Sequence, residues 1–191
     1  MISKKALSTT EFYQNNEWQT SVDLPTPLRD HCLVKLNSSH VFLTGGISKR
    51  LGKLSSPTNA SYIYSRATGF VRQGDMGTER SSHGCALQGD RVWVAGGFVG
   101  ANSSEYFSLS TSTWLPGPDL PKYEFGRMIT YDGKVTFFGY FFSKIWQLEA
   151  AMLDSVDGWT WVEVGETKAL KHSPWHAIKM KQKDCNNWNN I

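Results

Sequence analysis

The sequence predicts an all-β chain: a β-propeller segment of about three complete four-stranded blades, with a partial blade at each end, forming an open arc. One strand-turn unit and two spacings that repeat it in phase carry this prediction. The unit runs from His83 to Trp114. The apolar run HGCAL turns at Gln88-Gly89-Asp90 into RVWVA, which stops at Gly96-Gly97. A polar loop follows, then the alternating stretch EYFSLS, a polar turn and Trp114. Short β-rich runs bounded by turn residues read as successive antiparallel strands, and four strands in about 40 residues is the size of one propeller blade.

The first spacing is aromatic. Trp18, Phe70, Trp114 and Trp161 lie 52, 44 and 47 residues apart, and each is followed five residues later by an acid: Asp23, Asp75, Asp119 and Glu166. In the first three, an apolar residue comes next: Leu24, Met76 and Leu120. The second spacing is in the hairpins. His31 leads through a turn at Asn37-Ser38-Ser39 to Gly45-Gly46, and His83 leads likewise to Gly96-Gly97. Gly126 leads through Asp132-Gly133, a strong two-residue hairpin signal, to Gly139-Tyr140. A period of about 40–50 residues marks a repeat architecture.

The elements follow in order. Residues 1–9 are an N-terminal extension. Residues 10–21 supply the third and fourth strands of a blade whose first half is missing. Complete blades are expected at about 30–76, 80–120 and 124–168, the first with an extra loop, ISKRLGKLSSPTN, and the third with Ile145-Trp-Gln-Leu as its third strand. Residues 172–180, around His176-Ala-Ile-Lys-Met, read as the start of the next blade, and 181–191 as a polar tail. A glycine pair after an apolar strand opens backbone conformations closed to other residues and lets the next segment approach closely. An aromatic on each outer strand fills the space between neighbouring sheets, burying on the order of 150–250 Å².

The pattern resembles the kelch repeat. The matching features are the glycine pairs at 45–46 and 96–97, the tyrosines Tyr62/Tyr64 and Tyr106 of the third strands, and the closing tryptophan. The resemblance covers about residues 10 to 180. It departs from the pattern at Phe70, which stands for tryptophan, at Gly139-Tyr140, and in the missing third-strand tyrosine of the third blade. Kelch propellers close with six or so blades, so the resemblance implies an arc of a larger propeller. A short protein closing by self-association, and a four-bladed ring in which the N-terminal strands join residues 176–180, are the alternatives.

Composition excludes several classes. Hydrophobic residues are 40% and charged residues 19%, enough for a core and against global disorder. The net charge of +3 is not a clustered basic face, so no nucleic-acid partner is expected. No apolar run approaches the roughly 18 residues of a membrane span, so no membrane partner is expected either. The start, MISKKALSTTEFYQ, lacks the apolar run of a signal peptide. These features favour a cytoplasmic protein, or an extracellular one if a segment precedes the chain. The three cysteines do not complete an intramolecular disulfide framework, and Cys32 and Cys85 are expected as small buried residues of inner strands.

No catalytic residues, metal or cofactor are expected. His31 and His83 open equivalent strands, but two histidines do not close a zinc site; they read as hydrogen-bonded structural residues. Ser155-Val-Asp157-Gly158-Trp-Thr160-Trp161 is similar to the Asp box of sialidases with one residue deleted, itself a turn motif. Asn37-Ser-Ser, Asn59-Ala-Ser and Asn102-Ser-Ser fit the glycosylation sequon and lie in expected turns or loops.

The resemblance implies a non-catalytic protein-interaction module, an adaptor or scaffold. The 191 residues contain no BTB, BACK or F-box segment, so which of these roles applies stays open. It also implies that loops between second and third strands share one face with the connections between blades. Candidates there for binding a protein partner are Arg29, Lys49, Arg50, Arg80, Phe98, Tyr123 and Tyr140, because arginine and aromatics dominate binding hot spots. The competing reading is that Arg29 and Arg80 brace adjacent blades, that Lys49 is solvated, and that the three aromatics pack beneath their loops. Self-association through open blade edges is a further expectation. The alternatives in function are a fragment of a propeller enzyme, copper oxidase or glycosidase-like, and a secreted structural glycoprotein.

Overall fold

The computed structural model describes residues 5–48, 54–100, 102–140, 142–150 and 158–166. The first element is a hairpin of β1 (Glu11–Gln14) and β2 (Glu17–Thr20). It turns at Asn15 and Asn16, which both take positive φ (53° and 63°), as a tight hairpin turn requires. A short strand β3 (Leu28–Arg29) leads to the hairpin of β4 (Cys32–Lys35) and β5 (His40–Thr44). The chain then leaves this sheet through β6 (Ile47–Ser48) and β7 (Ser56–Pro57), which pair with β3 as a small sheet of their own. It returns as β8 (Ser61–Ser65) and β9 (Gly69–Arg72), completing blade one in the order β4-β5-β8-β9.

Blade two is β10 (Gly84–Gln88), β11 (Arg91–Ala95), β12 (Ser104–Ser108) and β13 (Thr113–Pro116). Blade three is β14 (Gly126–Tyr131), β15 (Lys134–Gly139), β16 (Lys144–Ala150) and β17 (Trp159–Glu166). Every neighbouring pair within a blade is antiparallel, and all are consecutive except β5 and β8, between which β6 and β7 intervene. The architecture is all-β, an open propeller arc with the inner strands β4, β10 and β14 side by side.

Side-chain alternation gives each sheet two faces. Val34, Phe42 and Ile63 of blade one meet Val92, Phe107 and Trp114 of blade two. On the other face of blade two, Ala86, Trp93 and Ala95 meet Met128, Val135, Phe137, Trp146, Leu148 and Trp161 of blade three. The outward face of blade one is met in part by the β1–β2 hairpin, through Ser21 with Tyr64 and Arg66 with Gln14 and Phe12, whereas that of blade three has no neighbouring sheet among the described residues. Leu33 is exposed on one, and Ile129, Tyr131 and Val162 on the other.

Two expectations need correction. Trp18 does not lodge between sheets: it is 70% exposed and touches Tyr13, with ring centroids 5.4 Å apart. The reason is direction. Each closing ring faces the preceding blade: Trp114 donates its indole N–H to the carbonyl of Gly74 (2.8 Å), and Trp161 to that of Pro118 (3.0 Å). No described strand precedes β1, so the ring of Trp18 has nothing to pack on.

The second correction concerns the cysteines. Cys32 and Cys85 are joined in a disulfide that links the inner strands of blades one and two, with Cα atoms 6.0 Å apart. Cys85 lies 53 residues after Cys32, one more than the repeat of 52 from His31 to His83. In strands of period two, that extra residue turns Cys85 to the opposite face of its sheet. Cys32 therefore faces blade two and Cys85 faces blade one.

Candidate functional site

The joints between blades explain most of the repeat residues. Gly45 and Gly96 take positive φ (58° and 64°), and a Cβ there would lie 2.5 Å from the carbonyl oxygen of Arg80 and 2.3 Å from that of Glu124. The backbone of the next blade's connection thus passes directly over the glycine pair. Gly46 N–H donates to the Arg80 carbonyl (2.8 Å), and Gly97 N–H to the Glu124 carbonyl (2.9 Å). Gly139 is glycine for another reason: a Cβ would sit 2.6 Å from Oε1 of Glu124. Leu24, Met76 and Leu120, the apolar residues after the acids, are all buried, with their N–H groups bonded to the carbonyls of Ser8, Asn59 and Asn102.

Arg80 is not an exposed contact residue, which corrects its candidacy. It is fully buried. Its Nε and Nη2 donate to Glu105 Oε1 (3.2 and 3.1 Å), Nη1 to the carbonyls of Gly96 and Ser103 (2.9 Å each), and Nη2 to Ser103 Oγ (2.7 Å). Glu105 also accepts from the backbone N–H groups of Gly77 (2.7 Å) and Thr78 (3.3 Å). Burial pushes the Arg80 pKa down, against the attraction of Glu105. With its backbone on blade one through Thr58 and its guanidinium in blade two, the residue braces the joint. Arg29, at the corresponding place before blade one, is half-buried and ion-paired with Asp30 (2.5 Å). Lys49 and Arg50 lie outside the described residues, as do 172–180, the tail 181–191 and most of the Asp-box-like stretch.

The remaining three candidates come together on one rim. Phe98 is 67% exposed, and Tyr123 and Tyr140 are at the edge of exposure. Tyr123 Oη donates to the Phe98 carbonyl (3.2 Å). Tyr140 stacks on Phe125 at 5.4 Å and 22°. The ammonium of Lys122 lies 4.9 Å from the ring centre of Phe142, which is itself exposed. Phe142 N–H is held by Glu124 Oε1 (2.8 Å). The connection between blades two and three and the loop after β15 thus present a group of aromatic rings with one cation. Phe125, Phe142 and Lys122 are absent from the sequence-based set. Their only sequence signal is aromatic density beside a blade connection.

A second concavity of about 540 Å³ lies between the β1–β2 hairpin and the outer face of blade one, lined by Phe12, Leu24, Leu33, Leu43, Tyr64 and Phe70 among others. Among the described residues, no three of His, Cys, Asp or Glu converge as a metal-ligand cluster. His83 is fully buried, with Nε2 2.8 Å from Thr44 Oγ1 across the joint. Burial, assisted by Arg80, Arg127 and His31, pushes its pKa down to about 3. Burial lowers His31 too, against Asp30.

Comparison with known proteins agrees with this geometry. Residues 79–121, which are blade two with its incoming connection, match the Kelch motif. No curated protein matches the chain by sequence. Among solved structures, that of YjhT is similar with a TM-score of 0.67 at 13% identity, over 87% of this chain and 67% of the other. At that identity the likeness concerns the fold. With its glycine-pair joints and closing tryptophans, the chain has the fold of an open β-propeller arc, and its second blade carries a Kelch motif.

Proposed function

We propose that this arc is a non-catalytic interaction module, an adaptor or scaffold that binds a protein partner through the aromatic rim between blades two and three. The observation that carries the reading is the set of exposed rings Phe98, Tyr123, Tyr140 and Phe142 on the two loops, with Lys122 over Phe142. Aromatic rings anchored by their neighbours lose little entropy on docking, and such residues supply most hot spots. The rings sit on connections held by backbone bonds: Phe98 N–H to Ser81, and Tyr140 N–H to Phe125. The surface is therefore pre-shaped, which lowers the ordering cost of association.

The test uses a photo-crosslinking residue in the full chain, expressed in its source cells. Placed at 98 or 142, it is expected to capture one defined partner; placed at 132, on a hairpin tip away from the rim, it is expected to capture none. For that partner, Phe98→Ala with Phe142→Ala should weaken binding at least about thirtyfold, the scale of a hot spot. Equal capture at all three positions, or unchanged affinity of the folded double variant, overturns the reading.

A further inference from the structure

We propose that this chain matures in an oxidising secretory compartment and carries an N-linked glycan on Asn37, and on neither Asn59 nor Asn102. This stands apart from the interaction reading. It begins with an accounting of the three sequons. Asn59 and Asn102 hold the same place in successive repeats, just before β8 and β12. Asn59 Nδ2 donates to the Met76 carbonyl (3.1 Å), and Asn102 Nδ2 to the Leu120 carbonyl (3.2 Å). Their sequon hydroxyls are matched as well: Ser61 Oγ donates to the Gly74 carbonyl (2.6 Å) and Ser104 Oγ to the Pro118 carbonyl (2.5 Å), and both serines are buried. In these two copies Asn-x-Ser is a device of the repeat. It ties the third strand to the connection that leaves the blade, and a sugar on that half-buried nitrogen would displace the tie.

Asn37 belongs to no such device. It is exposed at the turn between β4 and β5. Its Oδ1 accepts from Ser39 N–H (2.9 Å), Ser39 Oγ (3.1 Å) and His40 N–H (2.9 Å). The carbonyl end is thereby held by the sequon's own serine, while no described residue accepts from Nδ2. A glycan on that nitrogen would extend into solvent without touching a blade joint.

The disulfide supplies the second, independent observation. Cys32 and Cys85 come from strands of different blades and are brought together by blade stacking. A cross-link of this kind persists where thiol oxidants remove the two electrons and two protons, and is rare where glutathione keeps thiols reduced. The compartment that oxidises such thiols also holds the lipid-diphosphate-linked oligosaccharide. In the transfer, the bond between the anomeric carbon and the diphosphate oxygen breaks and its electron pair leaves with the lipid diphosphate, while a bond from that carbon to Asn37 Nδ2 forms and the amide proton passes to a basic group of the transferase.

The experiment takes the protein from its source cells and divides it. One part is digested without reduction and mapped for the Cys32–Cys85 peptide pair. The other is treated with peptide N-glycosidase in heavy-oxygen water, which marks each former acceptor as aspartate. The expected result is the linked pair together with a mark on Asn37 alone. Asn37→Gln and Ser39→Ala, made in the same cells, should each abolish the single mobility shift, whereas Ser39→Thr keeps it. A mark at Asn59 or Asn102, an unmarked Asn37, or free thiols at both cysteines overturns the proposal.

Discussion

The joint between blades one and two and the joint between blades two and three fill the same slot by different means. The second is filled with large rings: Trp93 contacts Tyr106 at 4.6 Å and Trp159 at 5.6 Å, and Phe137, Trp146 and Trp161 complete the layer. There Gly84 lets Met128 come close, since a Cβ on it would lie 2.6 Å from Met128 Cγ. The first joint has smaller apolar groups, Val34, Val92, Met76 and Val94, under the rings of Phe42, Phe107 and Trp114. It adds a disulfide, the buried Arg80–Glu105 pair and the His83–Thr44 hydrogen bond. Both joints carry cross-blade hydrogen bonds, the second including Gln88 to the Gly133 carbonyl and Trp161 to that of Pro118; what sets the first apart is the disulfide and the buried ion pair that supplement a thinner apolar layer.

The largest expected effect comes from emptying the ring-filled joint. Trp93 is fully buried, and Trp93→Ala should cost about 3–5 kcal/mol in denaturant unfolding. Native-state hydrogen exchange should show the loss concentrated in β14 to β17, with β4 and β5 less affected. Uniform loss across all three blades would mean that the joints do not act as separable units.

Opening the disulfide is the corresponding test of the other joint. Its closed loop is long, and removing a link of this kind costs about 2–4 kcal/mol. Cys32→Ser with Cys85→Ser should therefore destabilise the chain by about that amount, with exchange now fastest in β4 and β5. If the double variant matched the parent in midpoint and slope, the polar ties alone would account for the joint.

The contrast also shows what the sequence made readable. The glycine pairs and closing tryptophans recur at fixed spacing, so blade order and hairpin register follow from them. The recurrence of Arg29 and Arg80 suggests a brace at each joint; Arg80 reaches across its joint to Glu105 while Arg29 pairs with its neighbour Asp30, and the recurrence does not show that Glu124 replaces the arginine in the third copy and thereby requires glycine at 139. The disulfide was readable in principle from the odd offset of Cys85 against the repeat. A count of cysteines obscures it, because pairing depends on which face each side chain takes. The small sheet β3-β6-β7 was not readable: two-residue strands have no periodicity. The same holds for the rim, where Phe98 and Tyr123, or Lys122 and Phe142, meet only because two loops separated in sequence fold together. Trp18 shares the spacing of its counterparts and not their surroundings, since spacing carries no information about what precedes the chain's first strand.

The smallest expected effect distinguishes the joints by pH. His83 belongs to the first joint, and its pKa is pushed down to about 3 from an ordinary value of 6.5. The unfolded chain therefore takes up a proton as pH falls below about 6.5, while the folded chain does not. Stability attributable to this group is fully present above that pH and is lost as pH falls toward 3. The slope approaches 1.4 kcal/mol per pH unit below about 6. His31, lowered by burial in the same direction, adds to the slope, so the two must be separated by variants. His83→Gln keeps a partner for Thr44 and removes the titration. Unfolding free energies from denaturant curves measured between pH 7 and 5 should fall less steeply in this variant than in the parent, by about 2 kcal/mol over the interval. Trp161→Phe, which alters only the second joint, should leave the pH slope unchanged. Should His83→Gln retain the parent's full slope, the acid sensitivity would have to come from other groups, and the polar character of the first joint would have no bearing on it.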